Sequence, residues 1–443
     1  MHIIYKPVKV LSFLLLTFVS AATAYTLQFS DNAMRLQWKN PVVKVAFSNS
    51  LLKPNVNIKA DSDVLGAVQR SLQTWENVSS IKFQKSWTDK QSVSPAGNSG
   101  DGVSLITIAQ TSENLLFFSN DSDEVSARTR TFYNRRGIIS EADIVLNPYQ
   151  QFSTDGSIGT IDLEAALTHE IGHLLGLEHS FVLGATMHAH QGKNGVYNLA
   201  NLSSRTLAED DITAIRTLYG ANPEEEENCC GTINGKLLLV SGKAAKNFQV
   251  WAEEAESGRI MASVLTNADG SFRFEGLRSG KVRIYSQRLN GQQKNSFSVE
   301  NLGEIEVKKG KTLDIARKLQ LSSKSIDLQY VGFNGQISDF AVPLNGGKSY
   351  VLYIGGKNFD SNKLKISFNS PYISVTPNSL IKYEYDFDIS VVSFEIKISS
   401  KIPLGEYGVF VESENGRIYC LNGGVTIENF DNPWNSNLLT ESE

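Results

Sequence analysis

A chain of 443 residues is too long for one ordinary core and divides into two to four domains. Its 41% hydrophobic and 20% charged content describes a soluble globular protein. A formal net charge of −5 and the lack of a dense basic tract argue against nucleic acid as a main partner. At the start of the chain, Lys6 and Lys9 precede an apolar run from Val10 to Val19, and Ala22-Thr23-Ala24 has the small-x-small form of a cleavage site. Residues 1–24 therefore read as a secretory signal. The chain is expected to be exported, to the medium, a periplasm or a cell surface. The run is too short to span a bilayer. No cysteine follows it to carry a lipid, and the tail 431–443 offers no anchor, so no stable membrane attachment is expected.

Val42 to Phe47 alternates as a strand, and Asp61 to Asp63 caps a helix on which Val64, Val68, Leu72 and Trp75 share a face. Ser92 to Gly102 is a Ser-, Gly- and Asn-rich loop. Val103 to Ile108 and Arg128 to Tyr133 read as strands, the second turning at Asn134-Arg135-Arg136-Gly137 into Ile138-Ile139. A further helix follows, in which Leu163, Leu167, Ile171, Leu174 and Leu175 recur at helical spacing.

That helix carries the strongest chemical signal. Five of the six histidines lie between positions 169 and 190, three of them in His169-Glu170-Ile171-Gly172-His173-Leu174-Leu175-Gly176-Leu177-Glu178-His179. His169 and His173 are four apart and stack on one helix face. Gly176 can end the helix with positive φ and swing His179 round to the same ion. Three imidazoles leave zinc an open fourth position, the mark of a catalytic rather than a structural site. Glu170, about 100° round the helix from His169, can act as general base without being a ligand.

Asn222-Pro223-Glu224-Glu225-Glu226-Glu227 suits a linker, with few contacts expected to cross residues 223–228. Beyond it the helical period fades. Residues 229–318 give short strands at Lys236 to Val240, Phe248 to Ala252, Ile260 to Thr266, Ser271 to Phe274 and Lys281 to Ser286, with a hairpin turn at Asn267-Ala268-Asp269-Gly270. Residues 319–430 form a second all-β block. Of Cys229, Cys230 and Cys420, one adjacent cysteine bridges to Cys420 or all lie inert in the core.

At the histidine motif the chain resembles the metzincin metallopeptidases and, within them, the matrixins. Ser180 after the third histidine matches the matrixin motif, and Ala185-Thr186-Met187 stands where the family carries its methionine turn. Leu207 to Gly220 resembles the family's C-terminal helix, and Glu141 to Asn147 the edge strand beside the substrate. The resemblance covers residues 25–222. It implies an α/β metzincin-like domain with a mixed sheet and active-site helix. It further implies one catalytic zinc on His169, His173 and His179, with Glu170 as base for hydrolysis of protein or peptide substrates. It also implies an ammonium of Tyr25, freed by signal cleavage, docking on Asp210 or Asp211.

The chain departs from vertebrate matrixins in three places. With no histidine between His2 and His169, their second, structural zinc cannot be built. With no cysteine before Cys229, their cysteine switch has no donor. His188-Ala189-His190 differs from the usual residues of the specificity loop, and no pattern supports a calcium site. Downstream, Thr266 to Gly280 resembles carboxypeptidase-regulatory-like, prealbumin-type modules, and Pro403 to Tyr407 resembles a turn of an immunoglobulin-like domain. Two all-β sandwich domains are thus expected after the catalytic one. The rival reading is a non-enzymatic adhesion or matrix-binding protein that uses its β modules, and the intact Glu170 and histidines argue against it.

Overall fold

The computed structural model describes residues 27–52, 55–97, 99–118, 125–199, 205–223, 226–289, 297–320, 326–357, 364–386 and 389–429. The signal-like segment 1–24, Tyr25 and the tail 431–443 lie outside them. No described helix is long and apolar enough to cross a membrane.

The first unit is built on a mixed sheet. Its strands are β1 (Gln37–Trp38), β2 (Val42–Ser48), β3 (Lys82–Thr88), β4 (Leu105–Thr107), β5 (Ala127–Tyr133) and β6 (Ile138–Leu146). They run in the order β1-β6-β4-β2-β3, each parallel to its neighbour, and β5 pairs antiparallel with β6. The helices are α1 (Val64–Glu76), a one-turn α2 (Ser112–Leu115), α3 (Leu163–Leu174) and α4 (Glu209–Tyr219). Asp63 caps α1 through the Gly66 N–H, and Asp162 caps α3 through the Ala165 N–H. Val45, Phe47, Val68, Leu72, Trp75, Ile144, Leu167 and Ile171 share one core between sheet and helices. Trp75 Nε1 donates to Thr168 O at 2.9 Å, so the largest side chain of that core satisfies its one donor while pinning α1 to α3.

The edge of this sheet is not where the sequence placed it. β6 pairs with β4 on one side (Ile106 opposite Ile144) and with β5 on the other (Thr129 opposite Ile144). Its backbone is therefore committed. β5 folds back outside it through the Asn134–Gly137 turn and forms the edge beside α3. Alternation marks a strand but carries no information about its rank in a sheet.

The short strands β7 (Phe152–Ser153) and β8 (Ile161–Asp162) form a small ribbon before α3. The second unit comprises β9 (Cys229–Leu239), β10 (Phe248–Glu254), β11 (Ile260–Leu265), β12 (Ser271–Arg278), β13 (Gly280–Arg288), β14 (Val299–Val307) and β15 (Thr312–Leu319). Two sheets, β11-β10-β13-β14 and β12-β9-β15, enclose Ile233, Leu237, Val250, Phe272, Phe274 and Ile284. Asn267–Gly270 does turn, with Gly270 N–H bonded to Asn267 O, but it joins strands of different sheets. The expected hairpin is a crossover between layers. The third unit packs a six-stranded sheet around Ser349–Lys357 and Ile389–Ile398 against a four-stranded sheet around Gly405–Glu412 and Ile418–Glu428.

Cys229 and Cys230 are joined to each other, and Cys420 is a buried free thiol, so no disulfide ties the β units together. Cys420 instead lies in an apolar seam drawn from all three units: Val182, Ala185 and Ala208; Trp251, Ile260 and Tyr285; and Phe410. Polar contacts flank it. Thr213 Oγ1 donates to Met261 O at 2.9 Å, Glu209 pairs with Arg278 at 3.2 Å, and Leu183 N–H reaches Asn422 O at 3.0 Å. The expectation of few contacts across the linker is thereby reversed.

Glu406 sits at this seam, 3% exposed, its Oε2 without a hydrogen-bond partner among the described residues. Burial, then the charge of Asp211, push its pKa well above 4.5, and burial takes neighbouring Glu428 to about 7. A carboxyl group whose folded-state pKa is raised contributes stability below its unfolded pKa and loses it as pH climbs through the folded value. Glu406→Gln, which mimics the neutral form, should raise the melting temperature at pH 8 and barely move it at pH 4. Thermal unfolding across that range measures the effect.

Candidate metal centre

Every residue of α3 is buried, so the helix is held on all sides and its register is fixed. The helix closes with two bonds, Gly176 N–H to His173 O and Leu177 N–H to Gly172 O, each 3.0 Å, the Schellman arrangement. Gly176 takes φ +98°, and a Cβ there would meet the carbonyl oxygen of Leu36, so both conformation and space require glycine. The chain then reverses and returns His179 to His169 and His173.

His173 Nε2 and His179 Nε2 are 3.2 Å apart, and the donor atoms of the three histidines lie within 4.8 Å of one another. Zinc–nitrogen bonds of about 2.0–2.1 Å in a tetrahedron set nitrogens about 3.3 Å apart, which matches the closest pair. His169 Nδ1 lies 2.7 Å from Thr186 O and His173 Nδ1 2.8 Å from Leu177 O. A carbonyl only accepts, so both protons sit on Nδ1 and both Nε2 lone pairs are free for a metal. Burial, reinforced by neighbouring imidazoles, lowers the His169 pKa far below 6.5 and that of His179 to about 3. Neutral imidazoles are the form that ligates. The donor set fits zinc.

Glu170 is buried beside them. Thr129 Oγ1, on the edge strand β5, donates to Glu170 Oε2 at 2.5 Å and lies 3.3 Å from its backbone oxygen. Burial raises the Glu170 pKa against the opposing pull of His173, Thr129 and Arg128, which leaves a carboxylate suited to accepting a proton. Thr129 escaped the sequence reading. Strand alternation sets it on the face opposite Arg128 and Arg130, but nothing local names its partner. Removing its hydroxyl by Thr129→Val should lower kcat/KM by about 10- to 100-fold, the worth of one hydrogen bond to a charged group. Zinc content should not change; both are read on purified variant.

The methionine turn packs behind the helix. Met187 is 1% exposed, and a Cβ on Gly172 would overlap its sulfur. Asp211 accepts from Thr186, Met187 and Ala208 N–H at 2.9, 3.3 and 3.1 Å. Asp210 accepts from Ser180 Oγ and from Ser263 N–H of β11, each at 2.5 Å. The two aspartates thus hold both ends of the segment between the third histidine and the turn. Tyr25, whose ammonium was expected to dock on one of them, lies outside the described residues. Of the two further histidines, His188 is buried against its own loop and His190 pairs with Asp339 at 3.0 Å, and neither joins the three-histidine cluster.

A three-histidine centre on a helix–turn, with a glutamate beside the first ligand position and a methionine turn beneath, defines the metzincin class. The family model described as Matrixin matches residues 37–220. Hatching enzyme of Paracentrotus lividus is 28% identical over 189 residues, 40% of this chain and 26% of that protein. Metalloendoproteinase 2-MMP of Arabidopsis thaliana is 45% identical over 113 residues, 25% of this chain and 26% of that protein. Matrix metalloproteinase-18 of Xenopus laevis is 26% identical over 230 residues, 48% of this chain and 44% of that protein. Residues 37–220 thus form a matrixin-like domain, similar over part of their length to these metalloendoproteinases. The chain spans less than half the length of each of these three relatives. The pilin subunit BcpA of Bacillus cereus aligns at 14% identity over 43% of this chain and 66% of its own, with a TM-score of 0.18 that carries no argument.

Proposed function

We propose that the protein is an exported zinc-dependent endopeptidase acting on protein substrates. The observation that carries this is the convergence of three imidazoles beside a buried carboxylate at the edge of a sheet. Zinc held by His169, His173 and His179 would polarise the scissile carbonyl and acidify the attacking water. Glu170 takes the proton from that water and returns it to the departing amine. An extended substrate adds to the outer edge of β5, which pairs with no other described strand and whose Thr129 touches Glu170, so strand pairing brings a peptide bond to the histidines. This moves the substrate from the Ile144–Leu146 strand, expected from sequence, to the strand outside it. Export rests on the signal-like segment 1–24.

The test is zinc analysis of the purified chain together with cleavage of a peptide library. About one zinc per chain and cuts at internal bonds are expected. A chain that holds zinc yet cuts no peptide would overturn the reading and favour the adhesion alternative.

A further inference from the structure

Building on the peptidase reading, we infer that the third unit moulds segment 188–199, a wall of the cleft at the metal centre, and that Tyr197 is the positioning residue through which it acts. The inner side of the segment belongs to the catalytic unit. His188 follows the methionine turn and bridges to Ser180, next to the third histidine. Gln191 Oε1 accepts from Ser126 Oγ at 2.9 Å, just ahead of the edge strand β5. Asn194 bonds through its backbone to Gly159 and Thr160, both at 2.8 Å, and through Nδ2 to Thr160 Oγ1 at 3.1 Å. The segment therefore runs from the histidines to the head of β5, across the line an extended peptide on that strand would follow.

The outer side of the same segment belongs to the third unit. Tyr197 is fully buried, and its ring lies in that unit's core with Val331, Leu352 and Phe394. Its hydroxyl donates to Phe340 O at 2.8 Å, with Val331 O at 3.1 Å. Its backbone N–H donates to Gln336 Oε1 at 2.7 Å, and its carbonyl accepts from Asn334 Nδ2 at 2.9 Å. Val196 and Leu199 pack at the rim of that core, and His190 reaches Asp339. Tyr197 takes φ +58°, a conformation disfavoured for a residue with a side chain and kept only where the surroundings over-determine it. Those surroundings are the third unit. The wall thus takes its shape from a domain that contributes nothing to the histidine cluster, and substrate residues passing between this wall and β5 are selected accordingly.

The test compares wild type, Tyr197→Ala, Tyr197→Phe and the double variant Asn334→Gly/Gln336→Ala, all as full chains. The double variant loosens the latch from a surface turn, so it decides the matter if Tyr197→Ala unfolds the third unit. Hydrogen exchange of amides 190–199 should quicken at least about tenfold in the Ala and double variants, with α3 and β5 unchanged. On a positional peptide library, kcat/KM should fall about 10- to 100-fold, mostly in KM, with preference broadened at substrate positions on one side of the cut only. Tyr197→Phe, which keeps the ring, should recover most of both. Zinc content should stay constant throughout. Unchanged exchange, or faster exchange with the wild-type cleavage profile, overturns the inference. A wild-type chain that cuts no peptide fells the peptidase reading and the selection role with it, while the exchange data still decide whether Tyr197 anchors the segment.

Discussion

Glu170→Gln is expected to lower kcat/KM by at least about 100-fold, the lower end of what a positioned general base contributes, while leaving one zinc bound. Glutamine keeps the shape of the side chain and can still accept the Thr129 hydroxyl on its amide oxygen, so the buried site should not collapse. What it loses is the lone pair that takes a proton from water. His173→Ala should behave differently. It removes one of three nitrogens from the cluster and leaves the Leu177 carbonyl without its imidazole donor, so zinc and turnover should fall together. Metal analysis beside turnover of a single peptide separates the two roles. Wild-type-like turnover by the Gln variant would remove Glu170 from the mechanism.

Cutting the chain after Asn228 should yield a poorly soluble and inactive protein. The missing β units cover Val182, Ala185 and Ala208 in the seam, and the Tyr197 ring in the third unit's core. Each large apolar side chain returned to water costs about 1.5–3 kcal/mol, against a total stability of about 5–15 kcal/mol for a domain. The polar cost adds to this: Asp210 loses the Ser263 N–H, and Glu209 loses Arg278. Aggregation, or a melting temperature lower by more than about 10 °C, is the expected result, read by size exclusion and thermal unfolding. A soluble, active 27–228 fragment would show that the seam is dispensable and that the Glu-rich linker was a fair guide after all.

What the sequence disclosed and what it concealed divide along contact range. The helix, its closure at Gly176 and the return of His179 are all encoded within the stretch from Asp162 to His179, where spacing and one glycine suffice. Thr129 and Glu170 are joined across 41 positions by the fold of the sheet, and no local pattern pairs them. The same holds for the rank of β6 in its sheet, for the separate layers taken by β11 and β12, and for the lone burial of Cys420. The acidic linker was legible as a linker. Its composition says how the chain passes from one unit to the next, and nothing about side chains elsewhere that meet once it has passed.

Asp210 gives one oxygen to Ser180, beside the third histidine, and the other to Ser263 of the neighbouring β unit. Such a residue makes each unit part of the other's support. Exon-like shuffling, in which a catalytic unit is passed intact from one set of companions to another, would strand one half of that carboxylate and the whole of Tyr197. The boundaries that look portable along the chain are therefore not lines of free recombination. A graft of the first unit onto a foreign tail must carry its counterparts in β11 and the third unit with it.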